Sequence, residues 1–196
     1  MEILVQTPFP PECLPRVWRW IEGFRHKVAD DFSPKTLGEF VDLMTGKDQR
    51  TWAIYADGEL GGLVTFERLS PWAGTAHVLL KPDFQGRGIA LKACRQAVAA
   101  MFALGVGKLE FSVIARNLAI GSLLANLGAS REGTLRGMTL VGGQPTDVWQ
   151  YGLLRKEFEA KEGEKHELFA REHKDNQFEY HADPDRTGAV ALQPAQ

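Results

Sequence analysis

The stretch Val78-Leu-Leu-Lys-Pro-Asp-Phe-Gln-Gly-Arg-Gly-Ile-Ala90 constrains this chain more than any other. An apolar run ends at Leu80 and is halted by Pro82. Glycines at 86 and 88 permit a tight turn, and Ile89, Ala93, Ala97, Met101 and Leu104 then recur at helical spacing until Gly105. A strand that turns through glycines into a helix leaves unpaired N–H groups and the positive dipole end at the turn, where no side chain holds an anion off. The pattern therefore predicts a phosphate site, the alternative being a plain strand-to-helix turn. No Lys-Ser/Thr follows as a P-loop requires, and the first strand lacks dinucleotide glycine spacing, so neither of those nucleotide sites is expected.

The elements around this stretch alternate in type. Glu2 to Gln6 reads as a first strand broken by Pro8, Pro10 and Pro11. Leu14, Val17, Trp18 and Ile21 then mark a helix, and Ser33-Pro34 reads as the cap of a second helix carrying Leu37, Phe40, Val41 and Met44. Thr51 to Ala56, Asp57-Gly58 and Leu60 to Glu67 have the form of a β-hairpin, followed by a strand from Thr75 to Leu80. After the long helix come a strand from Leu109 to Ile114 and a helix from Asn117 to Leu127, stopped by Gly128. Two last strands, Gly133 to Val141 and Asp147 to Leu154, flank Gly142-Gly143. This order predicts an α/β domain over residues 1–158, a mixed, mostly antiparallel sheet of six or seven strands with helices on both faces. Residues 159–196, mostly charged up to Asn176, predict a solvated helix and a flexible tail, with recruitment of a protein partner as the alternative.

Composition narrows the function classes. A formal charge of −2, from 23 basic and 25 acidic residues, offers no basic stripe for nucleic acid. No apolar run approaches the roughly 20 residues of a membrane span, and acidic Glu2 stands where a signal peptide is basic. Cys13 and Cys94 are far apart and read as free thiols, and His166-Glu167-Leu-Phe-Ala170 lacks the second histidine of a zinc-protease motif. A cytoplasmic protein with no metal site is expected, and an apolar strand edge could pair two copies into a homodimer.

Gln85-x-x-Gly88-x-Ala90, after a strand ending in Leu80-x-Pro82, resembles the signature of the GNAT acyltransferases. Asn117, Leu127-Gly128, Arg131-Glu132-Gly133-Thr-Leu-Arg136, Asp147 and Tyr151-Gly-Leu-Leu-Arg155 follow in an order similar to the RimJ/RimL-like branch, which acetylates protein N-termini. The resemblance implies that acetyl-CoA is the donor and a peptide N-terminus or small amine the acceptor. It also implies that Val78, Leu79 and Leu80 run beside the pantetheine arm, that Leu80 N–H polarises the thioester carbonyl, and that Gln85, Gly86, Arg87, Gly88, Ile89 and Ala90 hold the pyrophosphate. Asn117 would contact the cofactor arm. Arg87 has an independent case, since a guanidinium forks onto oxyanions.

Direct acetyl transfer needs a neutral amine, a polarised carbonyl and a leaving thiolate. Many relatives place a tyrosine where this chain has Leu124, and RimL-like members a serine where it has Ile120. Ser122 and Tyr151 are the substitute proton donors. A thiol pKa of about 8.5 makes thiolate a tolerable leaving group in any case. His77, with its near-neutral pKa, and Glu67 are candidate bases, with Glu110 and Asp147 comparable on strand ends. The other reading is a non-catalytic, CoA-binding or structural member of the same fold.

Overall fold

A computed structural model describes residues 2–46 and 49–163 of the chain. Met1–Lys161 forms one compact unit, which holds the sheet and every labelled element. The charged tail with His166, Leu168, Phe169 and His173 lies outside the described residues.

In chain order the elements are β1 (Ile3–Gln6), α1 (Leu14–Val28), α2 (Leu37–Met44), β2 (Gln49–Ala56), β3 (Glu59–Arg68) and β4 (Ala73–Leu80). They continue with α3 (Ile89–Ala103), β5 (Lys108–Ile114), α4 (Leu118–Leu127), β6 (Ser130–Val141) and β7 (Gln144–Leu154). Seven strands form one sheet in the order β1-β2-β3-β4-β5-β7-β6. Every pair is antiparallel except β4 with β5. This is the mixed, mostly antiparallel architecture expected from the sequence.

Strand alternation sends side chains to two cores. On one face Trp52, Ile54, Val64 and Phe66 pack beneath α3 and α4, against Ala93, Ala97, Met101 and Leu127. On the other, Ala53, Leu60 and Leu63 pack against Leu14, Val17, Trp18 and Ile21 of α1 and Phe40 of α2. Trp18 and Phe40 lock these two helices together, with ring centroids 5.5 Å apart. The turn residues behave as their types require: Asp57 and Gly58 both take positive φ between β2 and β3, as Gly142 and Gly143 do between β6 and β7.

The cap of α2 differs from the sequence expectation. It is Thr36, whose side chain accepts from the Glu39 amide at 3.2 Å. Ser33 turns back instead, its hydroxyl donating to Asp30 Oδ1 at 2.8 Å, so the helix begins three residues later than Pro34 suggests. The segment after β7 is helical over residues 155–163. Its Phe158 is buried against Phe102 at a centroid distance of 5.7 Å, and Arg155 Nη2 donates to the Val106 carbonyl at 2.8 Å.

Gly62 sits opposite Leu80 in the β3–β4 pair, where a Cβ would lie 2.3 Å from the Leu79 carbonyl oxygen. A backbone atom cannot swing aside, so Gly62→Ala is expected to cost about 1–3 kcal/mol of stability. Urea unfolding should show a lower midpoint at unchanged m-value. A loss below about 0.5 kcal/mol would mean that β4 yields freely.

Candidate active site

β4 and β5 run parallel for only three residue pairs, Ala73 with Lys108, Gly74 with Leu109 and Thr75 with Glu110. Beyond Thr75, whose hydroxyl donates to the Glu110 carbonyl at 3.0 Å, the strands part. The Lys81 amide donates to the Gly61 carbonyl at 2.8 Å, which makes 61 and 81 a hydrogen-bonded pair across β3 and β4. By antiparallel alternation Val78 and Leu80 then occupy non-bonded positions, and their N–H and C=O groups point away from β3 into the open splay. The Leu80 carbonyl accepts from Gln85 Nε2 at 3.2 Å.

Two cavities meet at this splay. The first, of about 440 Å³, follows the end of β4 and the glycine turn to the flank of α4. Val78, Leu79 and Leu80 line one wall, Gln85, Gly86, Gly88 and Ala90 the turn, and Asn117, Ala119 and Ser122 the opposite side. Gly86 and Gly88 have φ of 71° and 72°, and a Cβ on either would meet nothing within 4 Å. The turn is thus glycine for its backbone conformation, and the space above it is open to a ligand. Gly88 is the N-cap of α3, and the first turn of that helix carries no acidic residue, so its unpaired amides face this space with no competing anion. A nucleotide pyrophosphate fits that turn, and a thin amide-bearing arm fits the cleft between Val78 and Asn117. Ile89 is fully buried and can offer only its amide. The Arg87 guanidinium is exposed, lies 5.6 Å from the Phe84 ring centroid and does not line the cavity. Asn117 caps α4, its side chain accepting from the Ile120 amide at 3.4 Å. Ser122 lines this cavity alone, beside Asn126.

The second cavity, of about 370 Å³, passes through the splay to the α1/α2 face. Val78, Asn117, Ile120 and Leu123 line both cavities, so the two join at that seam. Asp30, Ser33, His77 and Ser112 stand at the mouth. His77 is open to the cleft yet flanked by protein. Burial holds its imidazole below the ordinary histidine value, with the charge of Glu67 working in the opposite direction. Glu67 lies on the same sheet face, accepts from Gln49 Nε2 at 2.9 Å, and lines neither cavity. Burial would raise the pKa of Asp30, but hydrogen bonds from Thr139, Ser33 and the Phe32 and Ser33 amides bring it below the usual carboxylate value. It is ionised at the mouth.

Three further candidates do not reach the seam. Tyr151 is buried in the core beneath α4, its hydroxyl 3.1 Å from where a Cβ on Gly121 would stand, and it lines neither cavity. Glu110 pairs with Lys108 Nζ at 3.3 Å, and Asp147 accepts from the Gly137 amide at 2.8 Å. Sequence reasoning missed Asp30 and Ser33, because nothing local reveals that the α1–α2 loop is held at the mouth by Thr139, whose hydroxyl donates to Asp30 Oδ2 at 2.6 Å across 109 positions.

The family model for the acetyltransferase (GNAT) domain matches residues 11–130. The chain belongs to the GNAT acetyltransferase family. A spermidine N-acetyltransferase from Vibrio cholerae, solved with CoA and spermine, superposes with a TM-score of 0.70 at 18% identity over 80% of this chain and 97% of that one. RimJ of Mycobacterium smegmatis, solved with CoA-disulfide, superposes with a TM-score of 0.68 at 17% identity over 79% and 83%. No curated protein matches the chain. As a GNAT acetyltransferase the protein moves an acyl group from a CoA-type cosubstrate to an amine. Among the described residues no helix is long and apolar enough to cross a membrane.

A carboxylate placed at the cap of α3 would stand against the pyrophosphate, a like-charge juxtaposition costing several kcal/mol. Gly88→Glu is therefore expected to weaken CoA binding about 100-fold or more in a calorimetric titration. Unaltered affinity would move the pyrophosphate away from this turn.

Proposed function

We propose that this GNAT protein acetylates a primary amine, a peptide N-terminus or small amine, with acetyl-CoA as donor, by direct transfer in a ternary complex. The observation that carries this reading is the seam, where a groove suited to CoA meets a separate mouth bearing His77. Donor and acceptor reach one point from opposite faces of the sheet.

In this reading the amides from Gln85 to Ala90 hold the pyrophosphate, Val78 N–H and C=O bind the pantetheine arm, and Leu80 N–H polarises the thioester carbonyl. The acceptor nitrogen enters past Asp30, whose charge favours an approaching ammonium, and loses a proton toward His77. As a C–N bond forms and the C–S bond breaks, the thiolate leaves without a dedicated acid. Leu124 and Ile120, at the positions where relatives carry proton donors, are aliphatic and line the cavity.

Two features support this mechanism. With its pKa held below the ordinary histidine value, His77 is mostly neutral at physiological pH, the state a general base needs. Burial also pushes the Cys94 thiol up to about 12, which leaves it protonated and unfit to carry an acyl group through a covalent step. Both cysteines are free, in keeping with a reducing cytoplasm. The motif order from Arg131 to Arg155 supports the RimJ/RimL-like branch. An α-amine of pKa about 7.8 suits a single weak base far better than a lysine near 10.4. The aliphatic pair Leu124 and Ile120 favours a second reading, a CoA-binding member that does not turn over, and the same assay separates the two.

With a peptide N-terminal acceptor, kcat/KM should rise with pH through a limb set by His77 below about 6.5, its unperturbed value. His77→Gln should lose that limb and fall about 10²- to 10⁴-fold at neutral pH. Persistence of the limb in the variant would remove His77 from the proton path. CoA binding without any release of free CoA across an amine panel would favour the second reading.

A further inference from the structure

The loop between α1 and α2 carries two adjacent carboxylates with different fates. Asp31 is spent on structure. Its Oδ1 and Oδ2 accept from the Gly142 and Gly143 amides at 2.9 and 2.7 Å, and its own N–H donates to the Leu140 carbonyl at 2.8 Å. Both glycines hold positive φ, and a Cβ on either would meet nothing within 4 Å. The backbone conformation alone asks for glycine there, and that conformation offers two successive amides to one carboxylate. These three bonds pin the loop to the β6–β7 hairpin.

Asp30 stands at the cavity mouth with Ser33 and His77. The donors that hold it are neutral: the Thr139 hydroxyl on Oδ2 at 2.6 Å, and the Ser33 hydroxyl and Phe32 amide on Oδ1 at 2.8 and 3.2 Å. They fix where the charge sits without cancelling it. Ser33 and Phe32 belong to the same loop and would follow it anywhere. Thr139 does not. It lies on β6 and is buried, 6% exposed, so it ties the carboxylate to the sheet itself. Because Asp31 already pins the loop, what the Thr139 hydroxyl adds is the direction of the Asp30 side chain.

We propose that Thr139 is a positioning residue for acyl transfer, acting through Asp30: it holds that carboxylate toward the mouth, where the acceptor amine arrives as an ammonium. The inference rests on the proposed reading of this mouth as the amine entrance. The chemical difference between a hydroxyl and a methyl decides the effect. With a methyl in place of the Thr139 donor, one edge of the Asp30 carboxylate would face an apolar group, at a desolvation cost. The side chain then turns to water and away from the cavity, and the amine loses its electrostatic guide.

A double-mutant cycle on the full chain tests this, with acetyl-CoA as donor, one peptide amine as acceptor and calorimetric titration of CoA on every variant. Asp30→Asn should raise the amine KM about tenfold or more through loss of the charge. Thr139→Val should raise it about threefold or more through loss of the hydrogen bond. Both should act on KM more than on kcat and leave CoA affinity as it is. The double variant should lie within about twofold of Asp30→Asn alone, since Thr139 then has no charge left to direct. Thr139→Ser, which restores the hydroxyl, should recover the amine KM of the unsubstituted protein. Penalties that multiply in the double variant would overturn the proposal. So would a Thr139→Val defect that falls equally on CoA affinity and is not repaired by Thr139→Ser, because that residue would then serve the fold alone. Failure of the unsubstituted protein to release CoA with any amine would sink the functional reading and this inference together.

Discussion

The site depends on one broken pairing, the loss of the β4–β5 ladder after Thr75 and Glu110. Backbone N–H and C=O groups are obligatory hydrogen-bonding groups, and a strand that leaves its neighbour must find other partners. β5 keeps β7 on its other edge, pairing along its whole length from Lys108 to Ile114, so its backbone groups on the β4 side beyond Glu110 are left without β4. β4 has β3 on one side, and the groups of Val78 and Leu80 on the other side face a cleft. A cosubstrate arm rich in amides is the kind of partner that satisfies such an edge. The same break lets a cavity run from one face of the sheet to the other.

The two faces of that opening differ in their electrostatics, and the difference has structural causes. On the α3 side the glycine turn and the helix start gather backbone donors, with no carboxylate in the first turn of the helix. On the α1/α2 side the loop between those helices is latched to the β6–β7 hairpin. Asp31 accepts from the Gly142 and Gly143 amides at 2.9 and 2.7 Å, and Asp30 accepts from Thr139. This latch spans β5 and brings a carboxylate and a hydroxyl to the mouth. One side thus favours an anion and the other an ammonium, the arrangement needed for a CoA thioester and an amine to meet.

Most of the fold could be read from the sequence because its elements carry local chemistry: Asp57-Gly58 and Gly142-Gly143 dictate their hairpins, and Asn117 and Gly128 bound α4. The cap of α2 was misplaced because Ser33-Pro34 imitates a helix start, while Ser33 is committed to a tertiary loop through Asp30. The glycine turn was legible for the same local reason. The mouth was not, since Asp30 and Ser33 reach it only through contacts more than 100 positions away. Tyr151 illustrates the complementary difficulty. As a residue type it can stand in for the missing proton donor, but the face of β7 on which it falls turns it into the core beside Gly121.

The most direct test of the account is a crystal structure of the protein with CoA. It predicts the pyrophosphate on the amides from Gln85 to Ala90 and the pantetheine arm along Val78 and Leu80, with the sulfur at the seam between Val78 and Asn117. CoA bound anywhere else, or an arm that does not enter between β4 and β5, would contradict it.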